Sequence, residues 1–242
     1  MEIIITESFD ESCRRAAETI LRLVADKPDC TLGLATGSTA AAVYPHLVSA
    51  YAEGRADFTR VKTVNLDEYL GLPAGDVNSY RTSMDDWLFQ RANFTPGNTY
   101  VADGTADPVR EKDVFRQRLL SGVDLQLLGV GANGHIGFNE PGESLMNSVH
   151  VETLSLQTRT ANARFFCRPE DVPAQAITMG MGDILRAKRL LLLITGEKKR
   201  AAARSLLRGE AVTTRWPVTF LKLHPAVTVI LDRALVTGLD VK

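Results

Sequence analysis

Residues 30–39 read Cys-Thr-Leu-Gly-Leu-Ala-Thr-Gly-Ser-Thr. A short apolar run ends in small residues, and a stretch of helical length, Thr39–Ala52, follows. An apolar run this short, bounded by a glycine turn, reads as a strand buried on both faces. The same alternation recurs along the chain. Glu2–Thr6 reads as a first strand. A helix to about Ala25 follows, with Ser8 or Asp10 as its cap and an apolar face of Ala16, Ala17, Ile20, Leu21, Leu23 and Val24 at helical spacing. Val61–Leu66, Val123–Val130 and Arg189–Thr195 are further strands, the last running into a helical Glu197–Leu207, and Val227–Leu231 closes the series.

Strands separated by helices form βαβ units and a mainly parallel sheet covered on both faces. No repeat, low-complexity tract or linker interrupts the pattern. The expectation is one domain over residues 1–242, a three-layer α/β/α sandwich with a Rossmann-like sheet. In such sheets ligands bind beyond the carboxyl ends of the strands.

The chain has 242 residues, 45% of them hydrophobic and 24% charged, a balance suited to a water-soluble protein. With 28 basic against 29 acidic residues and a net charge of −1, it has no global field to attract nucleic acid. The N-terminal MEIIITESFDES lacks the pattern of a secretory signal. The longest aliphatic run, Leu190 to Ile194, falls far short of the roughly 20 residues needed to span a membrane. Three scattered cysteines, Cys13, Cys30 and Cys167, suggest neither disulfides nor a zinc site and favour a reducing cytoplasm. His46, His150 and His224 stand apart, so no metal cofactor is expected.

Four segments at the predicted strand ends carry possible chemistry. Leu34–Thr39 offers backbone N–H groups to an anion, although a tight turn uses the same residues, and it lacks the Gly-Lys-Ser/Thr ending of a nucleotide phosphate loop. Asp67, in Val64-Asn65-Leu66-Asp67-Glu68-Tyr69, places a carboxylate where a strand ends. Alone it reads more readily as a solvated cap on the next turn; beside a substrate it is a general base. Residues 129–134 spell G-x-G-x-x-G, but glycines and Pro141 follow where a dinucleotide fold needs a helix, so no NAD site is expected. What remains is a glycine-rich loop presenting His135 and Glu140, an imidazole and a carboxylate suited to proton transfer. Finally, the helical stretch Thr158–Phe166 carries Arg159 and Arg164, and Lys198 and Lys199 begin another helix, where cations oppose the helix dipole and point to a negative ligand, although a solvated charged face reads at least as well.

Taken together, LATGSTA, NLDEYLGL, GVGANGHIGFNEPG, TRTANARFF and the segment ending ITGEKK resemble the glucosamine-6-phosphate deaminase family, in its order and spacing, from about Ile3 to Asp232. The resemblance implies an enzyme that converts an amino-sugar phosphate to a ketose phosphate and ammonia without a cofactor. It implies that Asp67 moves a proton between C2 and C1, and that His135, assisted by Glu140, opens the sugar ring. Gly37, Ser38, Thr39, Arg164 and Lys199 would hold the phosphate. Asn133 stands where some members carry aspartate; its amide is expected to hold the imidazole, leaving Glu140 as the electrostatic partner. Ser38 stands where a second glycine is common. Glu143, Ser144, His150 and Glu152 fall where larger hexameric members hold an allosteric phosphate, and this acidic set would repel one. An unregulated monomer or low-order homo-oligomer, with a mobile lid over about residues 154–177, is therefore expected. Other sugar-phosphate enzymes of the same architecture (galactosamine-6-phosphate deaminase, 6-phosphogluconolactonase, ribose-5-phosphate isomerase) are the near alternatives. A sugar-phosphate-sensing module is the distant one.

Overall fold

A computed structural model describes residues 1–237; the last five residues of the expected domain, 238–242, lie outside it. Ten strands occur among these residues: β1 (Glu2–Thr6), β2 (Thr31–Leu34), β3 (Lys62–Asn65), β4 (Asp67–Tyr69), β5 (Thr99–Tyr100), β6 (Leu125–Leu128), β7 (His150–Thr153), β8 (Gln175–Thr178), β9 (Leu190–Ile194) and β10 (Val227–Asp232). The α-helices are α1 (Phe9–Asp26), α2 (Ser38–Ala41), α3 (Tyr44–Ala52), α4 (Tyr80–Met84), α5 (Pro108–Leu119), α6 (Leu156–Asn162), α7 (Met181–Leu185), α8 (Arg200–Leu207) and α9 (Arg233–Val236).

Seven strands form one sheet in the order β1-β10-β9-β6-β2-β3-β5, with parallel pairing throughout and helices on both sides. The expected three-layer architecture is therefore present. Its centre is apolar: every residue of β9, Leu190 to Ile194, is buried, because a strand covered on both faces has no polar side to alternate with. Helix α1 lays Ala16, Ala17, Ile20, Leu23 and Val24 into this core, and Ser8, rather than Asp10, caps it by accepting from Glu11 N–H at 3.2 Å.

From β2 the chain moves to β3 and β5 on one side, then returns to β6 and continues to β9 and β10 on the other. This reversal between β2 and β6 opens a crevice at the carboxyl ends of the strands.

Three differences from the sequence expectation have physical reasons. The single helix expected over Thr39–Ala52 is two, α2 and α3, because Pro45 lacks an N–H and is accommodated in the first turn of a new helix. A second, antiparallel sheet, β4-β8-β7, was not foreseen; its strands are too short and polar to show a period. Within the stretch expected as a lid, Gln175–Thr178 is strand β8, paired with β4 on one side and β7 on the other.

Candidate active site

The loops after four neighbouring strands of the large sheet, β9, β6, β2 and β3, meet at the crevice. After β2, Gly37 adopts φ 107°, a region that side chains resist, and turns the backbone directly into α2. Ser38 is exposed there and Thr39 partly buried. After β9, Gly196 turns similarly at φ 84°, its N–H held by Asp232 Oδ2 at 3.0 Å, and leads into the short turn Glu197–Lys199.

Asp67 follows β3 directly and opens β4, where it faces Thr178 of β8. It is 7% exposed, and no hydrogen bond among the described residues ends on its carboxylate. Burial pushes its pKa up to about 8, and the charge of Glu68 adds to the effect. Glu68 is equally buried but fully engaged: it accepts from the N–H groups of Tyr69, Tyr80 and Arg81 at 2.8, 2.9 and 2.9 Å. Of the two adjacent acids, only Asp67 has its lone pairs free for a ligand.

The loop after β6 folds as a chain of tight turns, not the helix start of a dinucleotide site. Gly134 N–H donates to Gly131 O at 3.0 Å, Gly131 N–H to His135 O at 2.9 Å, and Asn139 N–H to Ile136 O at 3.1 Å. Its glycines answer to specific neighbours. The His135 ring lies on Gly131, where a Cβ would stand 2.2 Å from Cε1. Gly134, at φ 87°, lies under the Trp216 ring, which leaves no room for a Cβ. Asn139 closes its own turn by donating from Nδ2 to Ile136 O at 2.9 Å and ties the loop to the residue after β8 by donating to Met179 O at 2.8 Å.

The pair His135 and Glu140 is assembled by this loop. Nδ1 of His135 stands 3.6 Å from Glu140 Oε1 and, though buried, has no hydrogen-bond partner among the described residues. Burial lowers the pKa of the imidazole; Glu140 acts against this and Lys199 with it. The ring is therefore held neutral near pH 7, the form that accepts a proton. Glu140 receives Asn133 Nδ2 on Oε2 at 2.9 Å and the Thr158 hydroxyl on Oε1.

This corrects the expectation for Asn133. Its amide does not hold the imidazole: Oδ1 accepts from the backbone N–H of His135 at 3.2 Å, and Nδ2 serves Glu140. An asparagine two residues before an N–H closes an Asx turn with it, and that geometry points the amide away from the ring.

Arg164 and Lys199 come close to each other from distant parts of the sequence. Arg164 is exposed in the turn Ala163–Phe165, its guanidinium 4.6 Å from the Phe165 ring centre. Lys199 is half-buried, and its pKa is lowered by burial, then by the positive charges of Arg164 and Lys198. Among the described residues neither Arg164 nor Lys199 forms an ion pair, so these two cations repel each other without a counter-charge. Lys198 is exposed, which favours Lys199 of the two lysines.

Thr158, Thr178 and Trp216 belong to this site and carried no sequence signal of their own. Each acts through a neighbour more than 15 positions away, which a single strand of sequence does not reveal.

A family model described as glucosamine-6-phosphate isomerases/6-phosphogluconolactonase matches residues 6–230. Glucosamine-6-phosphate deaminase of Thermoanaerobacter pseudethanolicus is 43% identical over 236 residues, covering 96% of this chain and 93% of the relative. That of a Clostridium perfringens strain is 42% identical over 235 residues, covering 96% and 97%. Among solved structures, a monomeric glucosamine-6-phosphate deaminase superposes with a TM-score of 0.94 at 42% identity, covering 98% of this chain and 99% of the other. A 6-phosphogluconolactonase from Trypanosoma cruzi, 19% identical with a TM-score of 0.80, shares the fold.

Proposed function

The chain belongs to the family of glucosamine-6-phosphate isomerases and 6-phosphogluconolactonases, and from that premise we infer that it is a glucosamine-6-phosphate deaminase, converting glucosamine-6-phosphate and water to fructose-6-phosphate and ammonia. The observation that carries the assignment of roles is the free, buried carboxylate of Asp67 on the same crevice as the His135–Glu140 pair and the two unpaired cations.

The proposed chemistry uses each group for what its environment favours. Neutral His135 takes the proton of the anomeric hydroxyl and returns one to the ring oxygen, opening the sugar. The carboxylate of Glu140 stabilises the imidazolium formed in between. Asp67, a strong base because burial raises its proton affinity, removes the proton from C2 and redelivers it to C1. The resulting imine at C2 adds water and releases ammonia; the redox state of the substrate as a whole is unchanged. Arg164, Lys199 and the backbone of Gly37, Ser38 and Thr39 hold the phosphate. Binding energy collected there, remote from the reacting carbons, positions them for proton transfer.

Two further properties are part of the proposal. The enzyme works as a monomer or low-order homo-oligomer in a reducing cytoplasm; the thiols of Cys13 and Cys30, buried and pushed up to about 11, support it. It lacks activation by an amino-sugar phosphate: His150 is engaged by Glu152 at 3.1 Å, and Glu143, seven residues before His150 in sequence, is a further acid.

The test is ammonia release from glucosamine-6-phosphate by wild type and by folded Asp67→Asn and His135→Gln variants. Release in wild type that both variants lose supports the proposal. Absence of release, with turnover of galactosamine-6-phosphate instead, transfers it to the C4 epimer; binding without turnover of either sugar overturns it.

A further inference from the structure

Glu140 has two oxygens and three neighbours. Oε2 is committed to Asn133, so Oε1 is shared between the Thr158 hydroxyl and His135 Nδ1. The hydroxyl makes the hydrogen bond. The imidazole nitrogen, at 3.6 Å, stands beyond hydrogen-bond distance and has no other partner among the described residues.

Thr158 is not a loose surface group. It is 4% exposed and sits in the first turn of α6, its N–H donating to the capping Ser155 Oγ at 3.1 Å. The same helix is fixed at two other points. Arg159 Nη2 donates to Val172 O at 3.2 Å, and Asn162 Nδ2 donates to Tyr69 Oη at 2.9 Å. The turn that follows carries Arg164. One short, firmly docked segment thus holds both a cation of the phosphate group and the only described hydrogen bond that restrains Glu140 Oε1.

We propose that Thr158 is a positioning residue: its hydroxyl sets the distance between Glu140 and His135, and thereby makes the alignment of the proton-transfer pair depend on the seating of α6. The inference rests on the functional reading above. In the arrangement described, the hydroxyl draws Oε1 toward α6 and keeps the carboxylate just short of the ring. A displacement of the segment by a fraction of an ångström, such as phosphate engagement by Arg164 would produce, alters that distance directly. Phosphate recognition and ring opening are coupled through one helix.

The charged groups acting on the His135 ring are Glu140, from its own loop, and Lys199, from the turn after β9. Removing the hydroxyl takes a hydrogen bond from the carboxylate and frees it to close on Nδ1. The imidazolium gains, and the proton affinity of His135 rises.

The experiment compares Thr158→Val and Thr158→Ser in the full chain, using kinetics with glucosamine-6-phosphate and proton NMR titration of His135 without substrate, its resonance assigned with His135→Gln. In Thr158→Val the His135 midpoint should rise by roughly one pH unit and kcat should fall roughly tenfold, with KM near wild type; one pKa unit and a tenfold rate change reflect the same differential interaction. Thr158→Ser, which keeps the hydroxyl, should restore both. If Thr158→Val is unstable, Thr158→Ala carries the same expectation. A wild-type midpoint and rate in Thr158→Val, a rate loss without a shifted midpoint, or a Thr158→Ser as impaired as Thr158→Val would each overturn the inference. Wild type that releases no ammonia but shows the midpoint shift in Thr158→Val would instead refute the functional reading.

Discussion

Asp67 and Thr178 stand opposite each other across the antiparallel β4–β8 pair, and Gly137 of the histidine loop lies against both side chains. A Cβ on Gly137 would come 3.1 Å from Thr178 Oγ1 and 3.4 Å from Asp67 Oδ2. Three segments distant in sequence therefore meet at the proposed base with little space to spare.

Gly137→Ala should damage both stability and activity. Its φ of 58° costs an L-residue roughly 1–2 kcal/mol, and the new methyl crowds Thr178 Oγ1 and lies in contact with the Asp67 carboxylate. Each kcal/mol should lower the melting temperature by roughly 2–4 °C in a chain of this size. Calorimetry and ammonia release on the same sample check both effects; an unchanged kcat would show that the glycine serves the turn alone.

Asp67→Asn should abolish measurable deamination, a loss of at least roughly a hundredfold for a general base. It should also change the pH dependence of stability. Burial pushes the folded carboxyl up to about 8 from 3.8 in the unfolded chain, so the native state binds the extra proton between these values and wild-type stability falls as pH rises from about 4 to about 8. The variant lacks this decline. Urea unfolding at pH 5 and pH 9 should show Asp67→Asn gaining on wild type at the higher pH, and equal differences at both would contradict a buried, proton-hungry carboxyl.

For the free wild-type enzyme, kcat/KM should rise with pH as Asp67 ionises around 8, because only the carboxylate is a base. The lowered pKa of His135 keeps the imidazole neutral across that range. A profile that falls from pH 7 to 9 would assign the essential titration to another group.

Lys199→Ala and Arg164→Ala should raise KM by roughly ten- to a hundredfold each, the loss of one charge-assisted hydrogen bond to phosphate. Inorganic phosphate should inhibit wild type competitively and these variants far less. Unaltered KM in both would remove the two cations from the phosphate site.

On the proposal that this enzyme is unregulated, adding N-acetylglucosamine-6-phosphate should leave the rate unchanged, because Glu143 and the Glu152–His150 pair offer negative charge rather than free cations to a phosphate. Activation at subsaturating substrate would show that such a site exists.

The sequence by itself determined the parallel main sheet and the candidate groups for the proposed chemistry. Apolar runs such as Leu190–Ile194 are too short for anything but buried strands, and their alternation with amphipathic helices left a parallel sheet as the packing that buries them. Sheet geometry then put every glycine-bounded strand end on one edge, so Asp67, His135, Glu140 and Lys199 were legible as candidates. What those groups do to one another was decided only by the tertiary structure. The β4-β8-β7 sheet, with strands too short to show a period, holds Asp67 buried and without a hydrogen-bond partner among the described residues. The Asx turn at Asn133 sends its amide to Glu140 instead of the ring, and Thr158 reaches the same carboxylate from 18 residues away. Proton affinities and side-chain orientations arise from desolvation and contacts between remote segments, and these exist only once the chain is packed.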